Sequence, residues 1–167
     1  MEIITVRSTT RWPPNLISPV IAIATGSRRW SHTMSIIRGR AYEASMSHGC
    51  RAVDEAVAMQ GVAYYQDMYV PVPDIDAAIE FGERQHGKDY DFPGAFGLPF
   101  LQSENWQDES KWWCSELNFA QIGAGGLWLL DPDEKTRVTP NDLRQCNYPK
   151  SPILKPASAG FFTTPQQ

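Results

Sequence analysis

The dipeptide Arg38-Gly39 constrains the fold more than any other feature of this chain. It lies within S-H-T-M-S-I-I-R-G-R-A-Y-E-A-S at 31–45, where apolar-containing runs on both sides predict a tight β-hairpin. In a two-residue turn, the numbers of opposed residues sum to 77. Because side chains alternate between the two faces of a strand, His32 and Glu43 then share a face as diagonal neighbours. Their Cβ atoms are expected about 7–8 Å apart, a gap that a glutamate side chain can close.

This pairing depends on the length of the loop. A four-residue loop would place His32 directly opposite Glu43, whereas a three-residue loop would place the two on opposite faces. The pair is therefore expected for even loop lengths only.

His32, Glu43 and Cys114 have the chemistry of a base, a group that orients the base, and a nucleophile. A carboxylate bonded to one imidazole nitrogen fixes the tautomer and leaves the other nitrogen as a base. Cys114, in W-W-C-S-E-L at 112–117, falls in about the first turn of a helix predicted from near Ser110 to before Gly123. Unpaired N–H groups at such a position favour the thiolate. Taken alone, a buried cysteine is more often a packing residue and a strand histidine more often structural.

The composition predicts one globular domain with a sizeable core. The chain has 167 residues, of which 42% are apolar, including 6 Trp, 6 Tyr and 7 Phe. The formal charge of −4 argues against a nucleic-acid partner, although arginines make the first quarter locally basic and leave an anionic substrate or surface open. No signal-peptide pattern opens the sequence, and no apolar run is long enough for a membrane span. We therefore expect a protein that is cytoplasmic at synthesis and has no integral membrane span.

Three cysteines cannot all pair within one chain, so at least one thiol should be free. Their wide spacing predicts neither a zinc site nor a dense disulfide framework. A metal site built from His48, Cys50 and His86 would lack a fourth ligand and the usual spacing. Neither a metal nor another cofactor is expected.

Periodicity and breaking residues predict the remaining elements. Strands are predicted at 2–7, as an edge strand, and at 62–70, where Pro71 ends the pattern. Helices are predicted at 52–60, 74–85 and 139–144, and at 15–26 a short buried helix is favoured over a strand. The segment 90–100 is aromatic and rich in turn residues, and the Pro-containing tail at 149–167 is expected to be extended or mobile rather than a second domain.

Several short motifs occur in an order that resembles a known enzyme family. They are T-G-S-R-R-W-S-H-T-M-S-I-I at 25–37, A-Y-E-A at 41–44, K-D-Y-D at 88–91, W-C-S-E-L at 113–117 and T-P-N-D-L at 139–143. Together they resemble the circularly permuted NlpC-type cysteine peptidases and amidases, often called YiiX-like, of the papain-like superfamily. The resemblance covers roughly residues 16–145. It implies a domain at 1–148 with an α+β fold, in which a twisted, mostly antiparallel sheet packs against the helix that carries Cys114.

The resemblance also implies roles for four residues. Cys114 would be the nucleophile, His32 the base, Glu43 its orienting partner, and Tyr90 a hydroxyl near the thiol. The implied activity is hydrolysis of an amide or ester bond through an acyl-enzyme, with a cell-wall peptide, another amide or an acyl-lipid ester as the substrate. Two alternatives are an acyltransferase, as in the lecithin retinol acyltransferase relatives, and a non-catalytic binding or assembly module that keeps the fold.

Overall fold

Five strands form the main sheet of the computed structural model, in the order β4-β3-β2-β1-β5, and each neighbouring pair is antiparallel. The structure describes residues 1–11, 30–91, 111–131 and 138–156. The predicted helix at 15–26 and most of the aromatic segment at 90–100 lie outside these residues. The strands of the main sheet are β1 (Glu2–Arg11), β2 (His32–Ile37), β3 (Arg40–Ser45), β4 (Gly49–Asp54) and β5 (Val62–Val72).

The predicted hairpin is confirmed, including its register. Arg38 and Gly39 form the turn with positive φ angles of 50° and 78°, as a two-residue hairpin turn requires. Ile37 pairs with Arg40, so the numbers of opposed residues sum to 77.

β1 is a central strand, and the prediction of an edge strand at 2–7 was wrong. β1 pairs with β2 on one side and with β5 on the other. Its side chains Ile4 and Val6 are buried in the core. A short β-branched segment fits either position, because its neighbours come from distant parts of the chain.

The prediction of a helix at 52–60 was also wrong over its first three residues. Residues Gly49–Asp54 form β4, which pairs with β3 along its whole length, and only Glu55–Ala58 form the short helix α1. The ladder to β3 and the burial of Cys50 and Ala52 outweigh the weak helical preference of this segment.

The next two predicted elements are confirmed. The strand at 62–70 is β5, which continues through Pro71 because an edge strand tolerates a residue without an N–H. The helix at 74–85 is α2 (Ile75–Arg84), whose N-cap Asp74 accepts a hydrogen bond of 2.9 Å from the Ala77 N–H.

The cysteine helix begins later than predicted. A short strand, β7 (Lys111–Trp112), pairs in parallel with β6 (Asp89–Tyr90) at the place where the helix was expected to start. The helix α3 (Cys114–Ala124) therefore has Cys114 as its first residue, and it ends one residue after Gly123, which was expected to break it. The predicted turn at 139–144 is the helix α4 (Pro140–Gln145). Thr139 and Asp142 form a capping box at its N-terminus.

Helices α2 and α3 pack against one face of the sheet. The main core lies between these layers; its largest buried side chains are Ile4, Val6, Ile37, Tyr42, Val70, Val72, Ile122 and Leu143. A smaller cluster around Met34 and Ile36 covers the other face. The sheet and these helices thus form an α+β fold with a mostly antiparallel sheet.

The chain after α4 returns to the free edge of β5. Lys150 and Leu154 make isolated antiparallel bridges to Met68 and Tyr65. The described part of the predicted tail, 149–156, is therefore extended along the sheet, and 157–167 lies outside the described residues. No helix in the described parts of the chain has both the length and the apolar character needed to cross a membrane.

Candidate active site

The hairpin brings His32 and Glu43 into direct contact. Nε2 of His32 lies 2.6 Å from Oε2 of Glu43, and the glutamate side chain is fully buried. The predicted pair is therefore present as a hydrogen bond. It forms because the two-residue turn places both side chains on one face of the sheet.

Arg51 holds the second oxygen of Glu43. It lies opposite Glu43 in the β3–β4 ladder, and its Nε donates a hydrogen bond of 2.7 Å to Oε1, with a further bond from Nη2. Burial alone would raise the pKa of Glu43. The hydrogen bonds and charges of His32 and Arg51 outweigh that effect and lower the pKa to about 2. Glu43 is thus a carboxylate near neutral pH.

Cys114 is the first residue of α3, and the His32 ring acts on its thiol by hydrogen bonding and charge to lower the pKa of the thiol. The backbone and the hydroxyl of Thr33, the next residue along β2, also lower the pKa of the thiol. The N-cap residue Trp113 gives the helix no side-chain cap.

The contacts of Cys114 and His32 favour a thiolate beside an imidazolium. Burial opposes the charged form of Cys114, but the hydrogen bonds and charge of His32, with the bonds of Thr33, lower its pKa. Burial likewise opposes the imidazolium, yet hydrogen bonds with Cys114 and Glu43 raise the pKa of His32 to about 9. The two shifts have opposite signs, so each group stabilises the charge of the other.

The pKa values of the other two cysteines are shifted in the opposite direction. Burial raises the pKa of Cys50 to about 11, and burial also raises the pKa of Cys146. All three cysteines are free thiols. Among the three, only Cys114 has surroundings that favour the thiolate.

Tyr90, to which the sequence resemblance gave a hydroxyl near the thiol, lies in β6, beside the strand that leads into the cysteine helix. It pairs with Trp112, two residues before Cys114. Burial raises the pKa of Tyr90 strongly, and negative charges on Cys114, Asp91 and Glu116 raise it further. The phenol is therefore neutral and can act as a hydrogen-bond donor beside the site.

Asn118 ties the cysteine helix to the histidine strand, and the sequence analysis did not identify it. It lies one helical turn after Cys114 and is fully buried. Its Nδ2 donates 2.8 Å bonds to the Cys114 carbonyl and to Oγ1 of Thr33, while its Oδ1 accepts a 2.6 Å bond from Oγ of Ser35. Asn118 could have been identified as a polar residue four positions after Cys114, on the same side of the predicted helix.

The described residues contain no group of three or more His, Cys, Asp or Glu side chains placed to hold a metal ion. His86 uses Nδ1 to accept a bond of 3.1 Å from the Ala52 N–H. Nδ1 of His48 lies 2.7 Å from Oγ of Ser47. These two imidazoles therefore have local structural partners.

No family model matches this chain, and no curated protein matches it.

Proposed function

We propose that this protein is a thiol hydrolase that cleaves an amide or ester bond through an acyl-enzyme, with Cys114 as the nucleophile, His32 as the base and Glu43 as the orienting carboxylate. The observation that carries the proposal is the chain Cys114–His32–Glu43, in which Glu43 is hydrogen-bonded to the His32 ring and that ring lowers the pKa of the Cys114 thiol. Such a chain activates a thiol and fixes the base that serves it.

The proposed reaction begins with attack of the Cys114 thiolate on the substrate carbonyl carbon, which forms a tetrahedral intermediate with a C–S bond. The first N–H groups of α3 have no partners within the helix and can donate to the oxyanion, with the neutral Tyr90 hydroxyl as a second donor. The His32 imidazolium protonates the leaving amine or alcohol as its bond to the carbonyl carbon breaks. Water, deprotonated by neutral His32, then attacks the thioester, releases the acid and returns the proton to the active site.

The chain order of the three groups supports the proposal that the fold is a circularly permuted papain-like fold. The histidine strand β2 comes first, the glutamate strand β3 second and the cysteine helix α3 last. This is the order of the permuted NlpC-type family that the motifs resemble. The contact between His32 and Glu43 is consistent with this order. The proposed assignment to the family depends on the sequence motifs.

The test of the nucleophile is selective alkylation. Iodoacetamide near neutral pH should modify Cys114 before Cys50 and Cys146, because only the thiolate reacts and only Cys114 has a lowered pKa. Peptide mass spectrometry after short exposure measures the three rates. Slow and equal modification of all three thiols would contradict the proposal and favour a binding module.

The test of the activity uses paired serine variants. Cys114→Ser should abolish turnover of any substrate found in a panel of cell-wall peptides, other amides and acyl-lipid esters, and should keep the fold. Cys146→Ser is the matched control, since its thiol lies outside the site, and it should keep activity. Turnover retained by Cys114→Ser would overturn the proposal. Adding alcohol or amine acceptors to the same assays separates a hydrolase from an acyltransferase.

A further inference from the structure

Arg51 is a charged residue of β4 that lies outside every motif on which the family resemblance depends. Its Nε donates a bond of 2.7 Å to Oε1 of Glu43, and its Nη2 donates a second bond to the same oxygen. The arginine side chain is 16% exposed and the glutamate side chain 0%. Because both of these bonds go to Oε1, the other oxygen of Glu43 remains available to His32, whose Nε2 lies 2.6 Å from it.

The backbone on both sides of Arg51 is held in place at the outer edge of β4. The Cys50 N–H donates a bond of 2.8 Å to the Lys88 carbonyl, and the Ala52 N–H donates one of 3.1 Å to Nδ1 of His86. On its inner side β4 pairs with β3 along its whole length. The arginine side chain therefore starts from a fixed position opposite the glutamate.

The short contact between Glu43 and His32 holds one proton, and the position of that proton sets the charge of both groups. With the proton on the ring, the pair is a carboxylate and an imidazolium. With the proton on the carboxyl group, both groups are neutral. Burial penalises the two charges, so a buried pair without further partners favours the neutral form. The groups around the pair therefore determine where the proton lies.

The charge of Arg51 favours the ionised form of the pair. Among the described residues, the cationic groups within ion-pair distance of Glu43 are His32 from β2, Arg51 from β4 and Arg11 from β1. The Arg51 guanidinium bonds Oε1 directly, whereas the ring lies at Oε2, so it stabilises the carboxylate more than it destabilises the imidazolium. Arg11 contributes less, because its Nη2 lies 3.9 Å from Oε2 and donates to the Ala58 carbonyl.

We infer that Arg51 is a positioning residue of the proposed reaction: it acts through Glu43 to hold the shared proton on the His32 ring. With the proton there, the imidazolium supports the Cys114 thiolate and carries the proton for the leaving group. With the proton on Glu43, the ring would be neutral and both effects would be lost. This inference rests on the proposed function.

Arg51→Gln tests the inference, because glutamine can still donate a hydrogen bond to Oε1 but carries no charge. At neutral pH the nitrogen NMR signals of the His32 ring should change from the imidazolium to the neutral pattern; His32→Gln identifies these signals. Alkylation of Cys114 by iodoacetamide should slow by about tenfold, the change for one pKa unit. Removal of a nearby cation would by itself strengthen the imidazolium, so an unchanged or stronger imidazolium signal would overturn the inference.

Arg51→Lys and Arg7→Gln separate the charge at this position from the general effect of losing a buried arginine. Both bonds of Arg51 go to one oxygen, so the single ammonium group of Arg51→Lys should restore the imidazolium signal. Arg7 is also a buried arginine, but it donates to Asp67 at 2.6 Å and to Glu55 at 2.5 Å. Arg7→Gln should therefore leave the ring signals and the alkylation rate unchanged. Denaturant unfolding compares the stability of all the variants.

A double variant tests the route through Glu43 and leaves no carboxylate unpaired if Arg51→Gln alone fails to fold. Adding Arg51→Gln to Glu43→Gln should not slow the alkylation of Cys114 beyond the rate of Glu43→Gln, because the group through which Arg51 acts is already neutral. A further slowing in the double variant would overturn the inference.

Failure of this inference and failure of the proposed function give different results. Selective alkylation of Cys114 at the same rate in Arg51→Gln and in the unaltered protein would overturn the role of Arg51 and leave the proposed function standing. Equal modification of all three thiols in the unaltered protein would overturn both. Loss of the imidazolium signal in Arg51→Gln, with recovery in Arg51→Lys and no change in Arg7→Gln, would support the role of Arg51.

Discussion

Glu43 illustrates how a buried carboxylate can influence a nucleophile through the histidine between them. Its carboxylate is fully buried, and its oxygens are divided between His32 and Arg51. An isolated buried charge would be costly, so these two partners, with Arg11, whose Nη2 lies 3.9 Å from Oε2, keep Glu43 ionised. The ionised carboxylate in turn stabilises the imidazolium of His32, which stabilises the Cys114 thiolate.

Replacing Glu43 should therefore weaken the thiolate through His32. In Glu43→Gln the pKa of His32 should fall, because the neutral amide no longer supports the imidazolium. The pKa of Cys114 should then rise, since the imidazolium lowers it. We expect the acid limb of the pH–rate profile for alkylation of Cys114 by iodoacetamide to move up by about one pH unit, the effect of losing one charge-assisted hydrogen bond.

Glu80→Gln is the matched control for this prediction. It makes the same chemical change at an exposed position, where Glu80 pairs with Arg84 on α2. Its profile should follow that of the unaltered protein. An unchanged acid limb in Glu43→Gln would show that the glutamate is structural and does not act on the imidazole.

In turnover, the alkaline limb should report His32. The raised pKa of about 9 means that the proton for the leaving group is present below that pH and is lost as the pH rises through it. Glu43→Gln should move this limb to lower pH, opposite in direction to the acid limb, so that the active range narrows from both sides.

Among the elements, the hairpin was predictable and the strand beside it was not. The turn at Arg38-Gly39 fixes the parity of β2 and β3, so the sequence alone places His32 next to Glu43. Arg51 was missed because residues 52–60 have a helical pattern, and only pairing with β3 makes Gly49–Asp54 a strand. A local sequence pattern is enough to predict a hairpin. The position of Arg51 opposite Glu43 instead depends on the pairing of a third strand with that hairpin.

The cysteine helix, too, was only partly predictable from the local sequence. Its existence follows from the sequence, but its start at Cys114 depends on β7, which forms only by pairing with β6. The role of Asn118 depends on β2 lying against α3, a contact between residues more than 80 positions apart in the chain. Neither the start of α3 nor the role of Asn118 can be predicted from the neighbouring sequence.

The contact between α3 and β2 leads to a prediction for Asn118. Asn118→Leu keeps a similar volume but removes three buried hydrogen bonds. Because partners on β2 are left unsatisfied, the free energy of unfolding should fall by about 2–3 kcal/mol. Denaturant unfolding measures this loss. Alkylation of Cys114 should also slow at neutral pH, because the Thr33 hydroxyl that lowers the pKa of the thiol loses the amide that orients it.

Ser35→Ala is the control for this prediction. It removes only the bond to Oδ1 of Asn118 and leaves the bonds to Thr33 and Cys114. It should lower the free energy of unfolding by less than Asn118→Leu and leave the alkylation rate of Cys114 unchanged. Equal effects of the two variants on that rate would show that Asn118 acts on stability alone.

The segment after α4 lies along the outer edge of the sheet and pairs with β5 at isolated positions. β5 is the outer strand next to β1, and an uncovered outer strand is prone to pair with other chains. The Tyr65 N–H donates to the Leu154 carbonyl at 2.9 Å, and the Leu154 N–H returns a bond of 2.8 Å. The Ser151 N–H also donates to the Asp67 carbonyl at 2.9 Å. Composition and prolines predicted an extended segment here, but its place on β5 depends on the finished sheet.

Removal of residues 149–167 should therefore destabilise the protein and expose the edge of β5. We expect the free energy of unfolding to fall by about 1–3 kcal/mol, since the lost hydrogen bonds are partly offset by the chain entropy regained. Self-association measured by sedimentation should rise, because β5 then has unpaired backbone groups. Removal of 157–167 alone keeps every contact with β5 described above, so this shorter truncation should behave like the full chain. Equal stability and sedimentation of the two truncations would show that the 149–156 segment contributes nothing to the sheet in solution.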